Sequence, residues 1–130
     1  MKEEGVVISC SVAPWLSVRD GIKALTFYKA AFGAIEVYRL DVPDTVVARL
    51  SVNGAEFWLS DGAAEDGPET LGGGSIRIIL TVQNPDTVFA QAVAAGATVV
   101  FPVGEEHGWR LGRVIDPFGL HWEIGHQIKI

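Results

Sequence analysis

The chain is poor in cysteine. Of its 130 residues only Cys10 carries a thiol, so no disulfide can form within it and a reducing, cytoplasmic setting is expected. It also lacks any cluster of Lys and Arg. Ten basic residues are scattered among sixteen acids, for a formal charge of −6, which excludes the basic face that nucleic-acid binding needs. No run approaches the roughly 20 apolar residues of a membrane span. The first residues, Met1-Lys2-Glu3-Glu4-Gly5 and then Val6-Val7-Ile8, hold two acids and too short an apolar run for a signal peptide. What the chain does have is apolar mass. With 48% apolar and 20% charged residues it can bury a core, and its length suits one domain over residues 1–130.

Residues 6–18 are apolar and β-branched and read as a strand kinked at Pro14, with Cys10 a small buried residue in it. Asp20 then offers an N-cap, Ile22, Leu25, Tyr28 and Phe32 recur at helical spacing, and Gly33 suits the position after the helix. Phe27, Tyr28 and Phe32 are expected to pack that helix. Strands are expected over 34–40, 45–52 and 55–60, with turns at Pro43-Asp44 and Asn53-Gly54. A loop over 61–74 follows. The order then starts again, with a strand over 75–82, a helix capped by Asn84 with Pro85 at its first position and ended by Gly96, and strands over 98–103, 111–115 and 120–124. Pro117-Phe118-Gly119 makes the last tight turn. Leu16-Ser17-Val18-Arg19-Asp20 aligns with Leu80-Thr81-Val82-Gln83-Asn84, and Ala31-Phe32-Gly33-Ala34 with Ala94-Ala95-Gly96-Ala97. The expected architecture is therefore α+β: two tandem βαβββ repeats, about 6–61 and 75–126, joined by a linker over 62–74. Each half would form a curved sheet with a helix on its convex side, and pairing the halves would leave a trough suited to a ligand.

Three segments carry a family likeness: Trp15 to Asp20, Phe27 to Gly33, and Gly112 to Gly119 with its Asp116-Pro117-Phe118-Gly119 motif. They resemble the vicinal oxygen chelate superfamily of glyoxalases, extradiol dioxygenases and bleomycin-resistance proteins. The segment from Asp116 to His126, with Trp122 and Gly125-His126, looks most like its PhnB-like branch. The resemblance implies a divalent metal held by four trough-facing side chains in the family's enzymes. Transferred to this chain, those positions fall on Ala13, Trp58, Arg77 and Glu123. Only Glu123 can ligate a metal: alanine has no donor, indole is not a ligand, and guanidinium is a permanent cation. No metal and no cofactor is therefore expected. Arg77 is expected to neutralise Glu123 across the trough. His121 and Glu123, two apart on a strand, face the same side, and with His107 or His126 nearby they are the remaining source of a non-standard metal site.

Strand alternation puts Ala13, Trp15 and Ser17 on one face, with Glu56, Trp58 and Ser60, then Arg77, Ile79 and Thr81, and then His121 and Glu123. Trp109 is expected on a loop at the pocket rim, and Trp122, of opposite parity, in the core. The expected ligand-binding set is Trp15, Trp58, Arg77, Trp109, His121 and Glu123, with indoles stacking on a planar ligand and no catalytic residue. His107 and the run Glu105-Glu106 read as solvated. The resemblance implies a homodimeric, bleomycin-resistance-type protein that sequesters an aromatic antibiotic or natural product: bleomycin-like, mitomycin-like, or a peptide with a quinoline chromophore. It also implies exchange of the first strand between subunits, with Pro14 as the hinge. The competing expectation is an enzyme. One form is a metal-dependent lyase, isomerase or dioxygenase; the other is metal-free, with His121 as general base and Arg77 holding an oxyanion or carboxylate.

Overall fold

A computed structural model of the chain describes residues 10–43, 45–61 and 76–129. The first repeat runs β1 (Trp15–Val18), α1 (Gly21–Phe32), β2 (Ile35–Val42), β3 (Thr45–Val52) and β4 (Ala55–Asp61). The second runs β5 (Arg77–Thr81), α2 (Pro85–Ala95), β6 (Thr98–Glu106), β7 (Trp109–Ile115) and β8 (His121–Gln127). Each repeat makes its own mixed four-stranded sheet, in the orders β1-β4-β3-β2 and β5-β8-β7-β6, so the sequence repeat is a repeat of topology. The first and last strands of each repeat lie side by side and parallel, Trp15 opposite Trp58 and Arg77 opposite His121.

Local chemistry explains most boundaries. The Asp20 side chain accepts a hydrogen bond from the Lys23 backbone N–H at 3.1 Å, and Gly33 ends α1 with φ at 69°, where a side chain would be strained. Asn53 and Gly54, both at positive φ, close the β3–β4 hairpin. Asn84 departs from expectation: α2 starts at Pro85, but the Asn84 side chain makes no capping hydrogen bond. Pro85 supplies a pre-set φ and needs no N–H partner, so the helix can start without that cap.

The first strand is shorter than its apolar run suggested. Residues 10–14 have no strand structure and β1 begins after Pro14, which lacks an N–H for the ladder. The Pro14 carbonyl still accepts from the Trp58 N–H at 2.9 Å. Cys10 is exposed in this segment and not buried in a strand as expected. Residues 6–9 and 62–75, and Asp44, lie outside the described residues, so the expected linker and part of one turn do too. Asp61 belongs to β4, and Glu105 and Glu106 to a longer β6.

One apolar core serves both repeats. Leu16, Val18, Leu50, Phe57 and Leu59 fill the inner face of the first sheet, and Leu80, Val114, Trp122 and Ile124 that of the second. Trp122 is fully buried, as its parity predicted. Its ring lies 4.7 Å from Phe32 and 5.6 Å from Tyr28 of α1, and 5.5 Å from Phe57 of β4. Aromatic rings from one repeat therefore cover the sheet of the other, so neither repeat could bury its inner face alone. Beneath them Asp116, 3% exposed, accepts from the Tyr28 hydroxyl, from Trp122 Nε1 at 2.9 Å, and from the N–H groups of Phe118 and Leu120 at 2.9 and 3.0 Å. Burial holds the Asp116 carboxyl above the usual range, and desolvation, followed by the Asp116 charge, lifts the Tyr28 phenol further still. The DPFG turn is thus tied to both repeats by one buried carboxylate.

Candidate functional site

Because the inner faces meet in the core, the residues of opposite parity occupy the other, less buried face of each sheet. Strand register arranges them as two matching rows. Across the first sheet runs Tyr38, Arg49, Trp58, Trp15, each opposite the next on the neighbouring strand. Across the second runs Phe101, Arg113, Glu123, Ile79. Trp58 and Glu123 hold the same place in the two rows, and an arginine precedes each.

The first row is an aromatic platform. Trp15 and Trp58 stack with centroids 5.6 Å apart and planes 11° apart, and Trp15 Nε1 donates to the Ser60 hydroxyl at 3.1 Å. On the other side of Trp58 the Arg49 guanidinium lies 5.2 Å from the ring centroid, and Tyr38 meets the ring edge-on at 5.7 Å. Arg49 Nε is shielded from solvent; it is 3.4 Å from Glu56 Oε1, an ion-pair distance, but forms no hydrogen bond. Trp58 is thus flanked by its neighbours, while Trp15, 53% exposed on edge strand β1, offers the open ring surface.

The second row is polar. Arg77 Nη1 lies 3.0 Å from Glu123 Oε2, with the Arg77 side chain 46% and the Glu123 side chain 15% exposed. This is a correction in geometry. The two residues sit on adjacent strands of one sheet, so the pair runs along the face and does not bridge a trough between repeats, and the exposed arginine makes it only partly buried. The Arg113 guanidinium donates twice to His121 Nδ1, from Nε at 3.1 Å and from Nη2 at 2.8 Å. A guanidinium has no acceptor, so Nδ1 keeps its lone pair and the neutral ring carries its proton on Nε2. Burial, then the charge of Arg113, depresses the His121 pKa and favours this neutral form.

These contacts test the four metal positions of the resemblance. The one carboxylate, Glu123, is engaged by a guanidinium, and so is the imidazole nitrogen of its neighbour His121. Among the described residues no three His, Cys, Asp or Glu side chains converge as a metal-binding group. Trp58 and Arg77 bring an indole and a cation where ligands would stand. The residues present do not fit a divalent ion.

The expected trough is not an interior cleft of the chain. The platform and the polar row lie on two separate sheets, and Trp15 of the platform shares with His121 a hollow beside edge strands β1 and β5. Trp15, Ser17, Ile76, Ile78, Leu120 and His121 line this open hollow of about 390 Å³. Trp109 is not brought to this place. It begins β7 instead of sitting on a loop, pairs with Gln127, and lines a separate hollow of about 280 Å³ with Phe101 and Leu111. Gln127 is four residues along β8 from Glu123, roughly 13 Å at strand rise. His107 lies in the β6–β7 turn at positive φ with its side chain exposed, and His126 is held by the Val82 carbonyl at 2.8 Å.

A family model described as the Glyoxalase/Bleomycin resistance protein/Dioxygenase superfamily matches residues 10–124, nearly the whole chain. The chain belongs to that superfamily. An uncharacterised protein of Mycobacterium bovis is 38% identical over 128 residues, covering 92% of this chain and 84% of the relative. The crystal structure of TioX from Micromonospora sp. ML1 superposes with a TM-score of 0.73 at 24% identity, covering 92% of this chain and 99% of TioX. FosX of Listeria monocytogenes, a genomically encoded fosfomycin resistance protein, gives 0.74 at 17% identity, covering 93% of this chain and 95% of FosX. At these identities the two structures speak for the fold alone.

Arg49, Arg113 and Tyr38 were not among the residues singled out from sequence. Two arginines at matching places in a repeat were visible there, nine residues before Trp58 and ten before Glu123. They lie on the third strand of each repeat, and only two-residue alternation carried through the hairpins would have put them on the ligand-facing side.

Proposed function

We propose that the protein binds a small planar aromatic molecule without a metal and sequesters it unchanged, as a cytoplasmic homodimer of the resistance-protein kind. The observation that carries this reading is the substitution of a metal position by Trp58 within a stacked Trp15–Trp58 pair backed by Arg49. A rigid indole surface with one open face binds flat rings at low entropic cost. The superfamily to which the chain belongs includes bleomycin resistance proteins, which supports an antibiotic or natural product as the ligand. A second copy belongs to this reading because Trp15 is 53% exposed: a ligand on it needs a further wall, and an exchanged or apposed first strand hinged at Pro14 would supply it. A metal-dependent lyase, isomerase or dioxygenase is disfavoured by the donor set. A metal-free enzyme using His121 as base is disfavoured because its lone pair is engaged by Arg113.

The test is a tryptophan-fluorescence titration with planar aromatic antibiotics, with and without a chelator, alongside the mass of the protein in solution. Saturable quenching indifferent to chelator, with the ligand recovered intact from a dimer, is expected. Turnover of the ligand, or binding abolished by chelator, would overturn the reading.

A further inference from the structure

We propose that Arg77, Arg113 and His121 form a binding site for an oxyanion, so that the small molecule carries a carboxylate or a chemically similar acid beside its flat ring. This deepens the reading above and rests on it for the aromatic part of the ligand. The three side chains stand on neighbouring strands of one face, Arg77 opposite His121 and Arg113 opposite Glu123. Arg77 and Arg113 stand on the strands either side of β8, each about 4.8 Å from it, so their long side chains can close on one small anion beside His121.

Every free polar hydrogen in this group donates. Arg113 commits Nε and Nη2 to His121, and Arg77 commits Nη1 to Glu123, which leaves each guanidinium with further N–H groups. His121 can no longer act as an acceptor at Nδ1, so its one remaining function is to donate from Nε2. Glu123 opposes an incoming anion, but two guanidinium charges stand against its one, and its contact with Arg77 orients that side chain. A donor-rich, net cationic group on a half-buried face suits an oxyanion and repels a metal ion. His121 also lines the hollow that contains Trp15, so a ring on Trp15 could direct an acidic group to it. That hollow, about 390 Å³, lies within the range of small-molecule sites.

The probes are 2-naphthoate, its uncharged analogue 2-naphthamide, and inorganic phosphate. Affinity is read by calorimetry, and anion contact by the imidazole signals of His121 in long-range proton–nitrogen spectra. The wild-type protein should bear its His121 proton on Nε2 and bind naphthoate about tenfold more tightly than naphthamide. Naphthoate and phosphate, but not naphthamide, should shift the His121 signals saturably. Arg113→Gln and Arg77→Gln should each reduce the naphthoate preference towards one, while Arg113→Lys retains part of it. Arg77 is half exposed, so its variant folds even if an Arg113 variant does not. Equal affinity for the two naphthalene compounds, a preference unchanged in both glutamine variants, or His121 signals that neither anion moves would overturn the inference while leaving the aromatic reading standing. If neither naphthalene compound binds but phosphate still shifts His121 in an Arg77-dependent way, the aromatic reading falls and the oxyanion site stands.

Discussion

Replacing Asp116 with alanine should be among the most damaging single changes outside the apolar core. The carboxylate accepts four hydrogen bonds, and two of its donors, the Tyr28 hydroxyl and Trp122 Nε1, are on fully buried side chains. Each buried donor left without a partner costs about 1–3 kcal/mol. The two backbone donors lie in a turn near the surface and recover part of their loss from water. Against this, the substitution removes the cost of burying the carboxylate, whose raised pKa records it. The balance is a loss of about 3 kcal/mol, or a fall of about 10 °C in Tm for a domain of this size. Urea unfolding followed by tryptophan fluorescence measures it, with Tyr28→Phe as the companion variant. Tyr28→Phe removes one donor and its bond together and should cost about 1 kcal/mol. The double variant should cost less than the sum, because both act on one network. An Asp116→Ala protein within about 2 °C of the parent would refute the account of the DPFG turn as the tie between repeats.

The same carboxyl predicts a pH dependence. Its native pKa lies above its unfolded value, so its contribution is most favourable below about pH 4 and is lost as pH rises through the raised native value. Stability of the parent relative to Asp116→Asn should therefore fall over that window; a flat difference would contradict the burial argument. Arg77→Ala should cost under about 1 kcal/mol, less than a fully buried pair would, because Arg77 is 46% exposed; a loss above about 3 kcal/mol would mean that the pair is enclosed in solution. Gly125→Ala should prevent folding or cost more than about 3 kcal/mol, since an added Cβ would fall on the Arg110 carbonyl and Leu111; a protein melting like the parent would show that β7 and β8 are further apart than described.

The fold was largely legible because it is written twice. Asp20 and Gly33 bound one helix, Pro85 and Gly96 the other, and the Asn53-Gly54 pair sets a hairpin by its own backbone preference; none of these needs long-range information. Trp122 was assigned to the core from two-residue alternation alone. Failures came where a residue's role depends on a distant neighbour. Asn84 has a capping side chain by type, yet Pro85 makes the cap dispensable. Cys10 looked buried because its neighbours are apolar, but Pro14 delays pairing until Trp15. Arg77 and Glu123 were paired correctly, but across the wrong boundary: their chemical complementarity is in the sequence, and the parallel β5–β8 neighbourhood that makes the contact lateral is not. Trp109 lay near the other candidates by motif position and is separated from them by the length of β8.

The flanking of Trp58 leads to an order of effects that the sequence did not suggest. Trp58 is enclosed between Trp15 and Arg49, so a ligand ring lands on the outer face of Trp15. Trp15→Ala should remove that face and weaken binding of a planar ligand by about 1–3 kcal/mol, while the fold survives because the side chain is 53% exposed on an edge strand. Trp58→Ala removes the surface that holds Trp15 flat, and the Nε1 bond to Ser60 still restrains the ring, so its effect should be smaller. Trp58→Phe keeps an aromatic backing and should be smaller again. Trp109→Ala should leave affinity unchanged, since Trp109 lines a different hollow. Calorimetric titration of the four variants gives the ranking directly. A larger loss for Trp58→Ala than for Trp15→Ala would mean that Arg49 or Trp15 moves aside and the ligand intercalates, and the pair would then be a slot that opens, not a platform.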